Sequence, residues 1–274
     1  MSAGPAVATA TAITGRTAVF ALLADPVEHV GSPPLFNAHL SQNGLDGVLV
    51  PLQVPADALA TVVAALRRMG NLRGFLVTIP HKQAILPLLD RLTPQAERAG
   101  AVNVVRRMPD GSLIGGQLDG EAFVAALLQA GETVSGSRVF IAGAGGVACG
   151  IGSALAGHGA AAITIFNRSQ PRAQHLIERL RHGFPACDVR MGGPNPAGHD
   201  IVVNATNLGQ RPADALPLDV HGLDGTIIAA EVVIEPADTA FLRAAMARGC
   251  RVQRGAAMVR AQLPLLLAFM APRS

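Results

Sequence analysis

The sequence predicts an α/β fold in two domains, each built around a mostly parallel sheet. At 274 residues the chain is longer than one ordinary domain needs. Short apolar runs rich in β-branched residues alternate with helical patterns, and a polar, glycine-containing stretch at residues 131–137 separates two such series. Repeated strand–helix order predicts parallel strands with helices on both faces of the sheet.

The first series contains three strand–helix pairs. The strands are predicted at residues 17–23, 47–54 and 74–79, and the helices at residues 34–43, 56–69 and 82–89. Within the second helix, Leu59, Val62, Val63 and Leu66 fall on one face at helical spacing, which indicates a buried side.

The second series follows a connecting helix, predicted at residues 120–130, and the hinge-like polar stretch. Its strands are predicted at residues 138–142, 162–166, 200–204 and 226–233. The last predicted helix, residues 257–270, is apolar, so we expect it to pack back on the first domain.

The composition argues against several classes of protein. No uninterrupted apolar run approaches the roughly 20 residues of a membrane helix. Residues 1–15 lack the basic start and apolar block of a secretory signal, so we interpret them as a frayed tail. The net charge of +3 comes from scattered arginines, and 3% aromatic residues leave few platforms for stacking bases. We therefore expect neither a membrane nor a nucleic-acid partner.

Cysteine usage points to the cytoplasm. The three cysteines, Cys149, Cys187 and Cys250, are widely spaced and form no C-x-x-C pattern. This argues against a disulfide framework and against a zinc site, and it fits a reducing compartment. We expect no metal.

A glycine-rich turn opens the second series. The apolar residues 139–142 lead into a G-x-G-x-x-A turn, and a helical pattern follows. Small residues let the backbone approach a pyrophosphate, whose charge meets unpaired N–H groups at the helix N-terminus. This context favours dinucleotide binding over a turn used only for close packing. The candidate cofactor residues are Gly143, Gly145, Gly146 and Val147.

The residues after the next strand favour NADP over NAD, although NAD stays open. An NAD enzyme usually places an acidic residue there to hold the ribose 2′-hydroxyl. This chain has Asn167, Arg168, Ser169 and Arg172 instead, with Ser169 a candidate N-cap. Two arginines can receive a 2′-phosphate, and the alternative is that they are solvated surface residues.

Lys82 is the one lysine in a chain with twenty-one arginines. Arginine keeps its proton at any ordinary pH, whereas a desolvated lysine can exchange a proton with a substrate. This predicts a catalytic role for Lys82; the alternative is a chance remnant on a solvated helix end.

Several motifs, in order, resemble those of the shikimate dehydrogenase family over nearly the whole chain. They are residues 25–33 (DPVEHVGSP), 77–82 (VTIPHK), 100–103 (GAVN) and 118–120 (LDG), the glycine turn, residues 167–169 (NRS) and 204–206 (NAT), and Gln262.

The resemblance implies a fold, a site and a role in aromatic amino acid biosynthesis. It implies a substrate domain at residues 1–118, joined by a C-terminal helix at residues 255–274. A Rossmann-type NADP domain would span residues 119–254, with a cleft between the two. Lys82 and Asp119 would form the catalytic pair. The implied substrate contacts are Ser32, Thr78, Asn103 and Gln262, and Asn204 and Thr206 join the candidate cofactor residues.

Elementary chemistry agrees with this assignment. Oxidation of a secondary alcohol needs a hydride acceptor beside the carbon and an acid/base group beside the oxygen; Lys82 can take the proton, and Asp119 can orient the amine. Structural alternatives exist for the other members. Asp119 could be a helix cap, Asn103 a turn residue, Ser32 a cap and Gln262 a satisfied core amide.

Three departures from the family concern substrate recognition. Val30 stands where the family usually has a first serine, Gln117 and Leu118 where it has Asn-Thr, and Ile234 where it has a tyrosine. In the family the first serine and the tyrosine help to hold the substrate carboxylate. The usual substrate is therefore in question, although the proton chemistry looks intact.

Two other functions remain open at this point. One is a methylenetetrahydrofolate dehydrogenase-like enzyme, which also has a lysine in its cleft; the ordered Asn103, Asp119 and Gln262 argue against it. The other is a catalytically silent nucleotide-binding regulator, against which the retained Lys82 and Asp119 argue. We expect a monomer or homodimer acting on a small molecule.

Overall fold

The computed structural model describes residues 13–28 and 30–271. Most of the predicted N-terminal tail, His29 of the first motif and the end of the predicted C-terminal helical segment lie outside these residues. None of the helices in the described ranges is long and apolar enough to cross a membrane.

The first sheet has six strands in the order β2-β1-β3-β5-β6-β4. They are β1 (Ala18–Ala24), β2 (Gly47–Gln53), β3 (Leu72–Val77), β4 (Arg91–Leu92), β5 (Val104–Arg107) and β6 (Leu113–Gly116). β1 is parallel to β2 and β3, whereas β5 is antiparallel to β3 and β6. The helices are α1 (Ser32–Gln42), α2 (Leu59–Arg67), α3 (His81–Ala84) and α4 (Pro94–Ala99).

Two predicted helices in this half are shorter than expected. Residues 56–58 form a 3-10 turn before α2. The helix predicted at residues 82–89 ends after one turn as α3, and a 3-10 turn at Leu86–Leu88 follows it. Pro87 explains the break, because proline has no N–H to donate to the helix ladder. The sequence interpretation missed β4, β5, β6 and α4, which are short and rich in charged or glycine residues.

The second sheet is parallel throughout and has the order β12-β11-β10-β7-β8-β9. Its strands are β7 (Arg138–Ala142), β8 (Ala162–Phe166), β9 (Asp188–Met191), β10 (Ile201–Asn204), β11 (Ile228–Glu231) and β12 (Arg251–Gln253). Its helices are α6 (Gly146–Gly157), α7 (Gln170–Gly183) and α8 (Ala240–Met246). This is the doubly wound dinucleotide-binding order, with its switch point between β7 and β10. The predicted α/β fold is confirmed.

Two long helices connect the halves: α5 (Asp119–Gln129) leads from the first sheet to the second, and α9 (Gly255–Met270) returns. From α9, Leu263, Leu266 and Met270 enter the same apolar cluster as Phe20 and Phe36 of the first half. The return of α9 brings residues from the end of the chain to the seam between the sheets.

Candidate active site

The turn after β3 places Lys82 at this seam. The Thr78 N–H donates to the Leu23 carbonyl at 3.0 Å, and the His81 N–H donates to the Thr78 carbonyl at 2.8 Å. The buried His81 ring lies 2.7 Å from the Val54 carbonyl oxygen through Nε2. These bonds hold the start of α3 to the neighbouring segments, and Lys82, next along, is 8% exposed.

Lys82 forms a buried ion pair with Asp119. Its Nζ donates to Oδ2 at 2.5 Å. The other carboxylate oxygen, Oδ1, accepts bonds from Asn103 Nδ2 and Gln262 Nε2, both at 2.7 Å. Asn103 Oδ1 also accepts the Leu118 N–H at 2.8 Å. Four predicted site residues therefore meet in one network, with both carboxylate oxygens occupied.

Asn103, Asp119 and Ser32 do not occupy the turn and helix-cap positions that the structural alternatives require. Asn103 reaches across the chain to Asp119 and Leu118 and does not form a local turn. Asp119 is the first residue of α5 rather than its N-cap. Ser32 likewise begins α1, whose N-cap is Gly31.

The departures Val30, Leu118 and Ile234 are all partly buried. Val30 and Leu118 pack against the apolar cluster that α9 shares with the first half. An ideal Cβ on Gly31 would lie 3.6 Å from Ile234 Cδ1. Ile234, from the second half, therefore lies beside the turn that carries Val30 and Ser32.

The glycine turn has the shape that a pyrophosphate cradle requires. Gly143 has φ +123°, which side chains rarely adopt, and an ideal Cβ there would lie 2.7 Å from the Ala205 carbonyl oxygen. Around Gly145 an added Cβ would meet no atom within 4 Å, so the backbone is open to a ligand. An ideal Cβ on Gly146 would lie 2.9 Å from Lys82 Cβ. The turn therefore fits a dinucleotide, and α6 begins directly against Lys82.

The arginines proposed for the 2′-phosphate lie just beyond β8. Asn167 Nδ2 donates to the Ser169 carbonyl at 2.9 Å. Ser169 is the N-cap of α7, although its side chain makes no capping bond. Arg168 and Arg172 are exposed and form no ion pair within the described residues. Both are thus available to an anionic ligand.

A buried carboxylate that sequence reasoning missed shapes the loop after β10. Glu231, fully buried at the end of β11, accepts bonds from Asn204 Nδ2, Thr239 Oγ1 and the N–H groups of Val232 and Val233. Asn204 Oδ1 in turn accepts from the Thr206 N–H and hydroxyl. The Asn204 side chain is therefore committed to forming the loop. The sequence signal that could have identified Glu231 is an acidic residue at the end of an otherwise apolar strand.

Burial raises the pKa of Glu231 above its ordinary value, although the hydrogen bonds to it oppose the rise. The folded state therefore holds a proton more readily than the unfolded state. The contribution of this group to stability declines as pH rises from the ordinary glutamate range through the raised value.

Glu231→Ala and Glu231→Gln should separate hydrogen bonding from charge. Alanine leaves several buried donors without an acceptor, so we expect a loss of about 3 kcal/mol in the free energy of unfolding. Glutamine keeps one acceptor oxygen and removes the buried charge, so it should be tolerated and should gain on the wild type as pH rises. Urea unfolding across pH, with exposed Glu178→Gln as control, tests this. Equal losses in both variants would contradict it.

Two family models match the chain. "Shikimate dehydrogenase substrate binding domain" matches residues 22–105, and "Shikimate / quinate 5-dehydrogenase" matches residues 126–210. A shikimate dehydrogenase (NADP(+)) from Geobacter metallireducens is 38% identical over 265 residues, covering 94% of this chain and 92% of the relative. One from Rubrobacter xylanophilus is 39% identical, covering 90% and 88%.

Solved structures agree in fold along almost the entire chain. Shikimate 5-dehydrogenase from Thermus thermophilus, in complex with NADP(H) and shikimate, superposes with a TM-score of 0.84 at 32% identity, covering 94% of each chain. The ligand-free 5-ketofructose reductase of Gluconobacter sp. strain CHM43 also gives a TM-score of 0.84, at 31% identity and 95% coverage of each chain. With both family models matched in order and relatives similar along nine-tenths of its length, the chain belongs to the shikimate dehydrogenase family.

Proposed function

We propose that this protein is an NADP-dependent alcohol dehydrogenase of the shikimate dehydrogenase type. It would interconvert shikimate and 3-dehydroshikimate, or the alcohol and ketone of a related hydroxylated ring compound. The observation that carries the proposal is the buried Lys82–Asp119 pair, which lies directly against the start of the dinucleotide helix α6. Relatives named shikimate dehydrogenase (NADP(+)) support it.

In this proposal Lys82 moves the proton. The chemistry that a bound nicotinamide would supply is hydride transfer from the alcohol carbon or back to the ketone carbon. During oxidation the neutral Lys82 amine takes the hydroxyl proton and becomes the ammonium that pairs with Asp119, and during reduction that ammonium gives the proton to the ketone oxygen. Asp119 holds the amine through Oδ2, and Asn103 and Gln262 hold the opposite carboxylate oxygen, so the pair keeps its orientation. Ser32 and Thr78 are proposed substrate contacts.

The cofactor would lie along the carboxyl edge of the second sheet. Gly143, Gly145 and Gly146 leave room for the pyrophosphate at the N-terminus of α6. Arg168 and Arg172 would hold the 2′-phosphate of NADP through charge-assisted hydrogen bonds. Asn204 and Thr206 would shape the neighbouring loop.

A second candidate is the reduction of an uncharged keto sugar. The Gluconobacter neighbour is named as a 5-ketofructose reductase. The keto sugar in that name has no carboxylic acid group. Aliphatic side chains at Val30, Leu118 and Ile234 favour a substrate without a carboxylate, because an apolar group offers a carboxylate no hydrogen bond.

Initial rates with a panel of cyclic hydroxy acids, polyols and keto sugars, each with NAD and NADP, test the proposed function. We expect NADP-dependent turnover of at least one of these compounds. A protein that binds NADP and turns over none of them would support the silent regulator instead. Methylenetetrahydrofolate is measured beside the panel, and its turnover alone would support the other enzyme class.

Restoring hydroxyl groups should improve shikimate binding. We expect shikimate to be a poor substrate, mainly through KM, because a remote group that binds ground and transition states equally affects KM. Val30→Ser with Ile234→Tyr should lower KM for shikimate by about tenfold per hydrogen bond regained. Leu118→Thr should help less.

Steady-state kinetics of these variants on shikimate measure the effect, with Val27→Ser, in the same loop, as control. Tight shikimate binding by the unmodified protein, with no gain in the variants, would mean that other residues hold the carboxylate.

We place the substrate domain at residues 1–118 with the C-terminal helix, and the NADP domain at residues 119–254. We also propose a cytoplasmic monomer or homodimer.

A further inference from the structure

Gln117, in the link between β6 and α5, binds the backbone of Asp119. The residue is 3% exposed, and its Oε1 accepts the Asp119 N–H at 2.7 Å. An N–H in the first turn of a helix has no partner within the helix, and the N-cap residue usually supplies acceptors for this turn. Here the N-cap is Leu118, whose side chain cannot accept a hydrogen bond. Gln117 provides the missing acceptor from one position earlier.

The same amide packs against helix α6. An ideal Cβ on Gly150 would lie 2.8 Å from Gln117 Cδ and 3.1 Å from both its Oε1 and its Nε2. An ideal Cβ on Gly120 would lie 2.1 Å from the Gly150 carbonyl oxygen. Glycine at these two positions therefore lets α5, Gln117 and α6 come into direct contact. Because α6 begins at the glycine turn against Lys82, Gln117 joins Asp119 to the cofactor side of the cleft.

The bond to Asp119 determines which way the Gln117 amide faces. Gln117 Nε2 is buried and has no hydrogen-bond partner among the described residues. Turning the amide over would point its N–H groups at the Asp119 N–H, which is also a donor, and the bond would be lost. The unpaired nitrogen thus follows from the bond to Asp119, which places the amide oxygen on the Asp119 side.

We infer that Gln117 is a positioning residue of the catalytic pair. It holds the backbone of Asp119 between the two halves of the molecule, so that the carboxylate keeps its contact with Lys82. The inference rests on the proposed function of Lys82 and Asp119. Gly150 is the matching surface on α6 that keeps the amide in place.

Gln117→Met tests the hydrogen bond. Methionine keeps the length of the side chain and removes the amide oxygen, so Asp119 loses its backbone acceptor. We expect kcat to fall by about tenfold, the effect of roughly one hydrogen bond, while the Kd for NADP stays unchanged. Thermal unfolding of the same samples shows whether the variant folds.

A second readout needs no turnover. Because Lys82 is the single lysine of the sequence, lysine labelled with 13C at Cε yields one side-chain signal. That signal reports the contact between Lys82 and Asp119 directly. We expect Gln117→Met to move it in the NADP-bound protein.

A glycine pair on α6 provides an independent variant and a matched control. Gly150→Ala would press a methyl group on the Gln117 amide, so it should move the lysine signal and lower kcat. In a Gln117→Ala background the methyl group meets no amide, and Gly150→Ala should add no further change in kcat or in the signal. Gly152→Ala, whose methyl group would meet Leu180 Cδ1 at 3.1 Å, should leave the signal in place.

The outcomes separate this inference from the proposed function. An unmoved lysine signal in both Gln117→Met and Gly150→Ala, or additive effects in the double variant, would overturn the positioning role. Absence of turnover in the wild type on every compound of the panel would overturn the proposed function, and the lysine signal would still decide the role of Gln117.

Discussion

Lys82→Arg is expected to reduce turnover as severely as Lys82→Ala, by about 10²- to 10⁴-fold. Arginine preserves the positive charge and can still pair with Asp119. In the unmodified protein, Asp119 Oδ2 accepts a hydrogen bond from Lys82 Nζ. Its guanidinium keeps its proton near neutral pH, however, and so cannot accept the proton of a substrate hydroxyl. Rates measured at saturating substrate and NADP test this, and a cofactor titration should show NADP binding retained.

The exchange of one cation for another needs its own control. Arg73→Lys, at an exposed position of β3, makes the opposite exchange and should leave turnover unchanged. If Lys82→Arg keeps most of the turnover, Lys82 serves as an electrostatic or binding residue, and the proton must be transferred by another group.

Arg168→Ala is expected to weaken NADP binding by about 10- to 100-fold while NAD binding hardly changes. A hydrogen bond to a charged group contributes about 1.5 to 3 kcal/mol, and NAD lacks the phosphate that would accept it. The unmodified protein should bind NADP more tightly than NAD, and the difference should shrink as salt screens the exposed arginine. Titration of both cofactors at two salt concentrations measures this.

Arg138→Ala is the matched control, because it removes an exposed arginine from the start of β7. This arginine lies at the amino ends of the parallel strands, opposite the carboxyl ends where the cofactor is proposed to bind. It should leave both affinities unchanged. Equal or better affinity for NAD in the unmodified protein would contradict the assignment of Arg168.

In the second half of the fold, β7, β8 and β10 lie within one residue of their predicted bounds, whereas β9 and β12 were not predicted. β7 and β8 occupy the predicted residues 138–142 and 162–166. Central strands of a parallel sheet are buried on both faces, so they appear as apolar runs bounded by glycine or polar residues. The first half deviated where β5 and β6 add antiparallel strands, since four residues containing two arginines or two glycines provide too little pattern.

The alternation of the longer strands and helices, the glycine turn and the family motifs were all determined by the sequence. Each depends on neighbouring residues, whose backbone preferences and apolar spacing act locally. The motifs also named Lys82, Asp119, Asn103 and Gln262, although their meeting could not be derived from spacing.

Only the tertiary structure decided how these residues meet. Gln262 and Asp119 are 143 positions apart, and they touch because α9 returns to pack on the first half. Other tertiary contacts set Gly150 against Gln117 and surround the buried Glu231 with its donors. Such contacts depend on the free energy of burying the whole core, which no short stretch of sequence contains.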